Sequence, residues 1–339
     1  MQKIVTPLLE WFQQNKRPLP WRQDTLPYHV WVSEIMLQQT RIEAVMRYYT
    51  RFMDALPDIA SLSAVDDDVL MKLWEGLGYY SRARNLKKAA QTVMQEYDGV
   101  FPSRFEDIKK LSGIGEYTAG AIASICFNEK IPAVDGNVLR VVSRVTGSRE
   151  NVLLPIVKKQ VTSQLAAVIP EEAGAFNEAL MELGELICLP NGAPLCASCP
   201  LRDLCIAYRE GLTEELPVRV KTLKRSGTEL SVFVIRDTDG RTAIEKRGES
   251  GLLAGMYQLP NVTGYISEKE IKEQLTTWNI TPRSIAFLGE AKHIFTHTEW
   301  LMKGYRIEAE HGNDRFLWGS EDALKKEYAL PTAFRKILK

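Results

Sequence analysis

Only five of the 339 residues are cysteine, and the opening Met1-Gln2-Lys3-Ile4-Val5 has no signal-peptide pattern. No apolar run reaches the ~18 residues of a membrane span. These absences predict a chain that is neither exported nor membrane-spanning, with its thiols kept reduced in the cytosol. Net charge is also missing: 43 basic side chains face 43 acidic ones. Overall charge therefore argues neither for nor against a nucleic-acid partner. Internal repeats and low-complexity segments are absent too. Hydrophobic residues make up 45% of the chain, which excludes predominant disorder. The length predicts two or three domains.

Four of the few cysteines, Cys188, Cys196, Cys199 and Cys205, fall close together. Clustered thiols in a cysteine-poor chain predict a metal ion or an iron–sulfur cluster, with paired disulfides disfavoured by the compartment. Cys126 lies apart in Ala121-Ile-Ala-Ser-Ile-Cys-Phe127 and reads as a small buried hydrophobe. Local charge is uneven. Arg82, Arg84, Lys87 and Lys88 form one basic stretch, Arg140 and Arg144 share a helical face, and Arg219, Lys221, Lys224 and Arg225 form a third group. Each alone reads as a solvated face more readily than as a phosphate contact.

Residues 1–212 carry apolar side chains at three- and four-residue steps, as in Ile42, Val45, Met46, Tyr49 and Phe52, which predicts helices. After Pro217 the pattern changes. Leu230–Ile235 and Trp300–Ile307 read as strands, and helical segments are expected near 267–278 and 320–338. The expectation is an all-helical domain bearing the cysteines, a basic linker over 213–228, and an α+β domain.

Leu111-Ser-Gly-Ile-Gly-Glu-Tyr-Thr-Ala119 predicts a tight turn at Gly113 and Gly115 between two helices. The second helix would aim free amides and the positive end of its dipole at an anion such as a DNA phosphate. Two carboxylates stand in contrasting settings. Glu34, on a helix, has Val30, Trp31, Leu37 and Gln38 as neighbours. So apolar a face should raise its pKa toward that of a general acid, unless it is an ordinary exposed helix glutamate. Asp135, in Pro132-Ala-Val-Asp-Gly-Asn-Val-Leu-Arg140, reads as a helix N-cap that stays ionised. One protonated and one charged carboxyl suit glycosidic cleavage through an oxocarbenium-like transition state.

Leu19-Pro-Trp-Arg22, Ser33-Glu-Ile-Met-Leu-Gln-Gln-Thr40, Gly76-Leu-Gly-Tyr-Tyr80, the 111–118 hairpin, Val134-Asp-Gly-Asn137 and the cysteines occur in order. With these motifs the chain resembles the MutY adenine DNA glycosylases of the helix–hairpin–helix superfamily that includes endonuclease III. The resemblance covers nearly the whole sequence. It implies excision of adenine opposite 8-oxoguanine, or opposite guanine, after the base is flipped from the duplex. Glu34 would protonate the leaving adenine, Asp135 would stabilise the sugar cation, and Asn137 would orient that site. Tyr117 stands where lyase-competent relatives have lysine, which implies a monofunctional enzyme. Trp21, Arg22, Leu37 and Glu178 would form the adenine pocket. Gln39 and Tyr79 would wedge into the stack, and Gly113 and Gly115 would meet the backbone. The cysteines would hold a structural [4Fe-4S] cluster.

The implied layout is a helical glycosylase domain over 1–212, a linker over 213–228, and a MutT-like (Nudix-fold) domain over 229–339. Within the first, 21–129 would form a six-helix module, and 1–20 with 130–212 the iron–sulfur module. The partner would be duplex DNA, with no membrane, and the chain a monomer in a bacterial-type cytoplasm near the nucleoid. Departures are few. Seven residues rather than six separate Cys188 from Cys196, inside a Pro/Gly-rich loop that can absorb one more. After Gly251 no Glu-rich helix follows to hold catalytic magnesium, so the second domain is expected to recognise and not hydrolyse. The 8-oxoguanine-reading Phe-Ser-His of the family is here Phe295-Thr296-His297. The rival readings are an endonuclease III-like glycosylase/lyase and a non-catalytic lesion-binding protein.

Overall fold

The computed structural model describes residues 1–220 and 226–338. Its helices are α1 (Val5–Asn15), α2 (Pro27–Leu37), α3 (Ile42–Ala55), α4 (Ile59–Ala64), α5 (Asp67–Trp74), α6 (Ser81–Glu96), α7 (Phe105–Ile108), α8 (Glu116–Phe127), α9 (Gly136–Thr146), α10 (Pro155–Ala166), α11 (Ala173–Leu186) and α12 (Ile206–Arg209). Strands β1 (Ser226–Arg236), β2 (Thr242–Lys246), β3 (Tyr257–Gln258) and β4 (Asn261–Thr263) follow. Then come α13 (Glu268–Thr277), β5 (Pro282–Ile294), β6 (Thr298–Ala309), β7 (Leu317–Gly319), α14 (Glu321–Lys326) and α15 (Thr332–Arg335). Lys221, Lys224, Arg225 and part of the expected 213–228 linker lie outside the described residues. Among the described residues, no helix is long and apolar enough to cross a membrane.

The chain divides into two compact units, residues 1–64 with 85–221, and residues 65–84 with 222–339. The second unit thus takes in α5, which the sequence pattern groups with the other early helices. Asp68 gives the reason: its carboxylate accepts bonds from Lys246 Nζ (2.6 Å) and the Tyr257 hydroxyl (2.9 Å).

In the first unit, Ile4, Val5, Leu8 and Phe12 share one core with Val138, Val142, Val157, Val161, Phe176 and Leu183. Chain start and later helices are therefore locked together by apolar burial, roughly 1.5–3 kcal/mol per fully buried large side chain. Proline at the first turn of α2 and α10 starts those helices without losing a bonded amide.

In the second unit the strands form one sheet in the order β3-β2-β1-β6-β5, with β4 paired to β1 and β7 to β2. β1 and β6 run parallel, Val232 opposite Gly304. Alternation along β1 puts Leu230, Val232 and Val234 into a core with Trp300 and Phe334, while Phe233 and Ile235 face Ile271 and Leu275 of α13. Burial on both faces explains why β1 reads as a near-continuous apolar run. A capping box of Ser267 and Glu270 starts α13, which falls within the helical segment expected near 267–278. The helix anticipated over 320–338 is instead two short ones, α14 and α15, separated by Pro331.

Candidate active site

A cleft of about 950 Å³ in the first unit brings together Trp21, Arg22, Glu34, Leu37, Gln39, Gly115, Tyr117, Asp135, Asn137 and Glu178. These come from the segment before α2, from α2 and the residues just after it, from the first residues of α8, from Asp135 and Asn137 at the start of α9, and from the middle of α11. Gly113 does not line it.

Glu34 projects from the last turn of α2 and is only 7% exposed. Its Oε2 accepts a 2.7 Å bond from the Tyr117 hydroxyl, whose own oxygen also lies 3.1 Å from Met181 Sδ. Burial pushes the Glu34 carboxyl up to about 7, with the nearby charges of Asp135 and Glu178 adding to the rise. The Tyr117 bond and the Arg22 charge oppose it. The apolar neighbours read in the sequence thus have the effect expected of them, and Glu34 is not a surface glutamate.

Asp135 caps α9, its Oδ1 accepting from the Val138 amide at 2.8 Å and its Oδ2 from Asn137 Nδ2 at 2.9 Å. Capping alone predicts a low-lying carboxylate. Burial reverses the direction and raises Asp135 above its usual value, against those bonds and the Arg140 charge. Asn137 is itself pinned: it donates to Glu185 (3.2 Å) and accepts from Arg140 Nη2 (2.8 Å).

Trp21 and Leu37 line the cleft, and Trp21 is also a core residue, 6% exposed with its ring edge-on to Tyr49 at 5.3 Å. Arg22 pairs with Glu178 (2.8 Å) and Glu182 (3.1 Å), while Arg17 grips Glu182 from Nε (2.8 Å) and Nη2 (2.9 Å). Burial works to raise Glu182, but the bonds from Arg17 and Arg22 bring it down to about 2. Sequence reading found Arg22 and Glu178 and missed Arg17 and Glu182. The available signal was the four-residue step from Glu178 to Glu182 on α11.

In the hairpin, Gly113 takes φ +77°, and a Cβ there would sit 2.6 Å from Asn85 Cβ. Gly115 is the N-cap of α8 and has open space above its Cα. Gly113 is thus required by backbone and packing together. Gly113→Ala should cost about 1–3 kcal/mol of stability. Thermal melts check this; a variant with wild-type melting would contradict it.

The four cysteines line one small cavity with Val141, Val145, Leu183 and Ile187. Among the described residues, no three His, Cys, Asp or Glu groups gather closely enough to hold a metal ion. Two buried arginines fasten the loop. Arg140 Nε donates to Cys188 O (2.7 Å), and Arg144 Nη1 donates to Leu189 O (2.9 Å) and Cys188 Sγ (3.3 Å). Both are 3% exposed. Their shared helical face is therefore structural rather than a solvated basic surface. The four thiols are the donor type an iron–sulfur cluster takes and line one cavity, but they are not gathered into a metal-holding group in this structure. Cys126 is partly exposed, not fully buried as its apolar run suggested, although burial still pushes its thiol up to about 12.

Gln39 and Tyr79, one in each unit, are non-glycine residues at positive φ, 58° and 48°. Such strain concentrates where function fixes a side chain. Tyr79 is 43% exposed, and Arg82 lies beneath its ring at 5.5 Å and against Trp74 at 5.4 Å. Arg82, read from sequence as part of a solvated stretch, is buried and donates to Leu77 O and Gly78 O. Phe295, Thr296 and His297 form the turn of the β5–β6 hairpin, closed by a 2.8 Å bond from the Phe295 amide to Thr298 O. Thr296 and His297 are exposed, while Phe295 packs edge-on to Trp300 at 4.9 Å. Residues 251–256 form turns, without the magnesium-binding helix of a hydrolase.

Residues 32–171 match the model for the HhH-GPD superfamily of base excision DNA repair proteins, and residues 231–339 match a NUDIX domain. The chain is 34% identical to the adenine DNA glycosylase of Mus musculus, over 88% of this chain and 69% of that one. It is 32% identical to that of Buchnera aphidicola subsp. Acyrthosiphon pisum, over 98% and 95%. A thermostable thymine-DNA glycosylase superimposes with a TM-score of 0.56 at 27% identity, over 61% of this chain and 96% of that one. The chain belongs to the adenine DNA glycosylase family, the MutY group of the helix–hairpin–helix superfamily that includes endonuclease III.

Proposed function

We propose that this protein removes adenine paired with 8-oxoguanine, and also with guanine, from duplex DNA by acid-assisted cleavage of the N-glycosidic bond. The observation that carries this reading is Glu34: a buried carboxyl, pushed up to about 7, in the same cleft as a second carboxyl. Adenine leaves poorly as an anion. Protonation at N7 by Glu34 lets the bonding pair depart with a neutral base. The sugar is left as an oxocarbenium-like cation, which Asp135 shields and water captures at C1′, giving free adenine and an abasic site. Asn137 holds Asp135, and the Tyr117 hydroxyl keeps Glu34 aimed into the cleft.

Tyr117 has no amine to attack C1′, so no Schiff base forms and the strand stays intact. Trp21 and Leu37 supply apolar walls for the flipped base, and the Arg22–Glu178 pair a polar edge. Gln39 and Tyr79 fill the space that the base vacates, and the 295–297 turn reads the opposite base. Cys188, Cys196, Cys199 and Cys205 would hold a [4Fe-4S] cluster. Such a cluster supplies structural cross-linking there, fixing the loop that Arg140 and Arg144 tie to α9. The setting is the cytoplasm of a bacterial-type cell.

One gel assay tests the reading, with duplexes holding adenine opposite 8-oxoguanine and treated or not with alkali after incubation. Breaks should appear only after alkali. Breaks without alkali would indicate a lyase, and no breaks at all a lesion-binding protein.

A further inference from the structure

We propose that Glu75 and Arg335 are positioning residues for reading the base opposite the adenine. Their ion pair holds the Tyr79 hydroxyl against Thr296. This rests on the reading, given above, of Tyr79 as a wedge and of the 295–297 turn as the reader.

The contacts form a closed ring within the second unit. Tyr79 Oη and Thr296 Oγ1 are 2.9 Å apart, a hydrogen bond between a residue in a strained loop and one in an exposed turn. From Thr296 the ring runs to Phe295, whose side chain packs on Trp300 at 4.9 Å, and Trp300 packs on Phe334 of α15 at 5.5 Å. Next to Phe334, Arg335 donates from Nε (3.2 Å) and Nη2 (2.5 Å) to Glu75 Oε1. Glu75 directly follows α5 and is joined to Tyr79 by Gly76-Leu77-Gly78.

Glu75 has its acceptor sites engaged. Oε1 also takes the Leu330 amide at 3.1 Å, and Oε2 takes Lys72 Nζ at 2.7 Å. Lys72 in turn donates to Tyr328 O at 3.1 Å. A carboxylate that is 17% exposed and holds a guanidinium, an ammonium and a backbone amide is a stiff joint. Between Glu75 and Tyr79 the loop is short and cross-braced: Trp74 Nε1 donates to Gly78 O at 3.2 Å, and the Gly76 amide to the Tyr80 hydroxyl at 3.1 Å. Little slack remains, so moving Glu75 moves the Tyr79 hydroxyl. Thr296 Oγ1 is a small rotatable group in an exposed turn. Tyr79 is its hydrogen-bond partner in the described structure, and that bond fixes where the hydroxyl stands when the opposite base arrives.

The test measures single-turnover adenine release from two duplexes, adenine opposite 8-oxoguanine and adenine opposite guanine. It uses the full chain with Glu75→Gln, Arg335→Gln, the double variant, Arg335→Lys, and Thr296→Ala as control. Each single Gln variant should lower the ratio of the two rates by about three- to tenfold, the span of one lost hydrogen bond, with the guanine rate little changed. The double variant should lower it no further, because both changes break one link. Arg335→Lys, which keeps the charge, should recover part of the ratio. If Thr296→Ala lowers the ratio while the Glu75 and Arg335 variants do not, the positioning role is overturned and the turn's reading role stands. If both rates fall together with a lowered melting temperature and an unchanged ratio, the pair is merely structural. If Thr296→Ala leaves the ratio unchanged, the reading role itself falls, and the proposal with it.

Discussion

Glu34→Gln should slow adenine release by about 10²- to 10⁴-fold, the usual contribution of a positioned general acid. Glutamine keeps the shape and can still accept the Tyr117 hydroxyl bond, so the loss isolates the proton. Linkage provides a control for folding. The folded-state pKa of about 7 lies above the ordinary 4.5, so the folded protein holds a proton that the unfolded chain has released between those values. Stability therefore falls as pH rises from about 4.5 to 7, and the full cost, on the order of 3 kcal/mol, is present above that window. Glu34→Gln removes this cost. It should melt higher than wild type at pH about 8 and no differently at pH about 4. A variant that is less active and also less stable at both pH values would point to damaged packing instead. Activity that requires a destabilising group is a familiar trade-off.

Asp135→Asn should lower the single-turnover rate by about 10²- to 10³-fold, as expected when an electrostatic stabiliser of the transition state is neutralised. The choice of asparagine matters because Asp135 also caps α9. Asparagine caps nearly as well as aspartate, so folding should change by only a few tenths of a kcal/mol. Asp135→Ala would lose the cap as well, at about 1 kcal/mol. Equal rates for Asp135→Asn and wild type would remove Asp135 from the chemistry and leave it a cap. Comparing the two variants in melts and in rates separates the roles.

What was legible in the sequence follows from the range of the interactions. Glu34 was readable because its apolar neighbours lie three and four residues away on one helix. Its hydrogen-bond partner was not, since Tyr117 stands 83 positions along the chain. The upward shift at Asp135 was not readable for a similar reason: capping is local, whereas burial in the cleft depends on remote segments. Arg140 and Arg144 look like a basic face when only α9 is considered. Their partners, Cys188, Leu189 and Leu216, are 44 to 72 positions away. β1 announced itself by burial on both faces, but β5, at the edge of the sheet, has a mostly exposed pattern and gave no comparable signal. The membership of α5 in the second unit depends on Asp68, Lys72 and Glu75, charged residues whose partners only the fold supplies.

The pH dependence of single-turnover adenine release, taken from about pH 5.5 to about pH 9 on an adenine:8-oxoguanine duplex, asks most directly whether Glu34 acts as a neutral acid. The rate should hold level on the acid side, bend near pH 7, and then fall about tenfold per pH unit as the carboxyl loses its proton. A rate that stays flat through pH 9, or one that rises with pH, would show that proton donation from Glu34 does not drive base release.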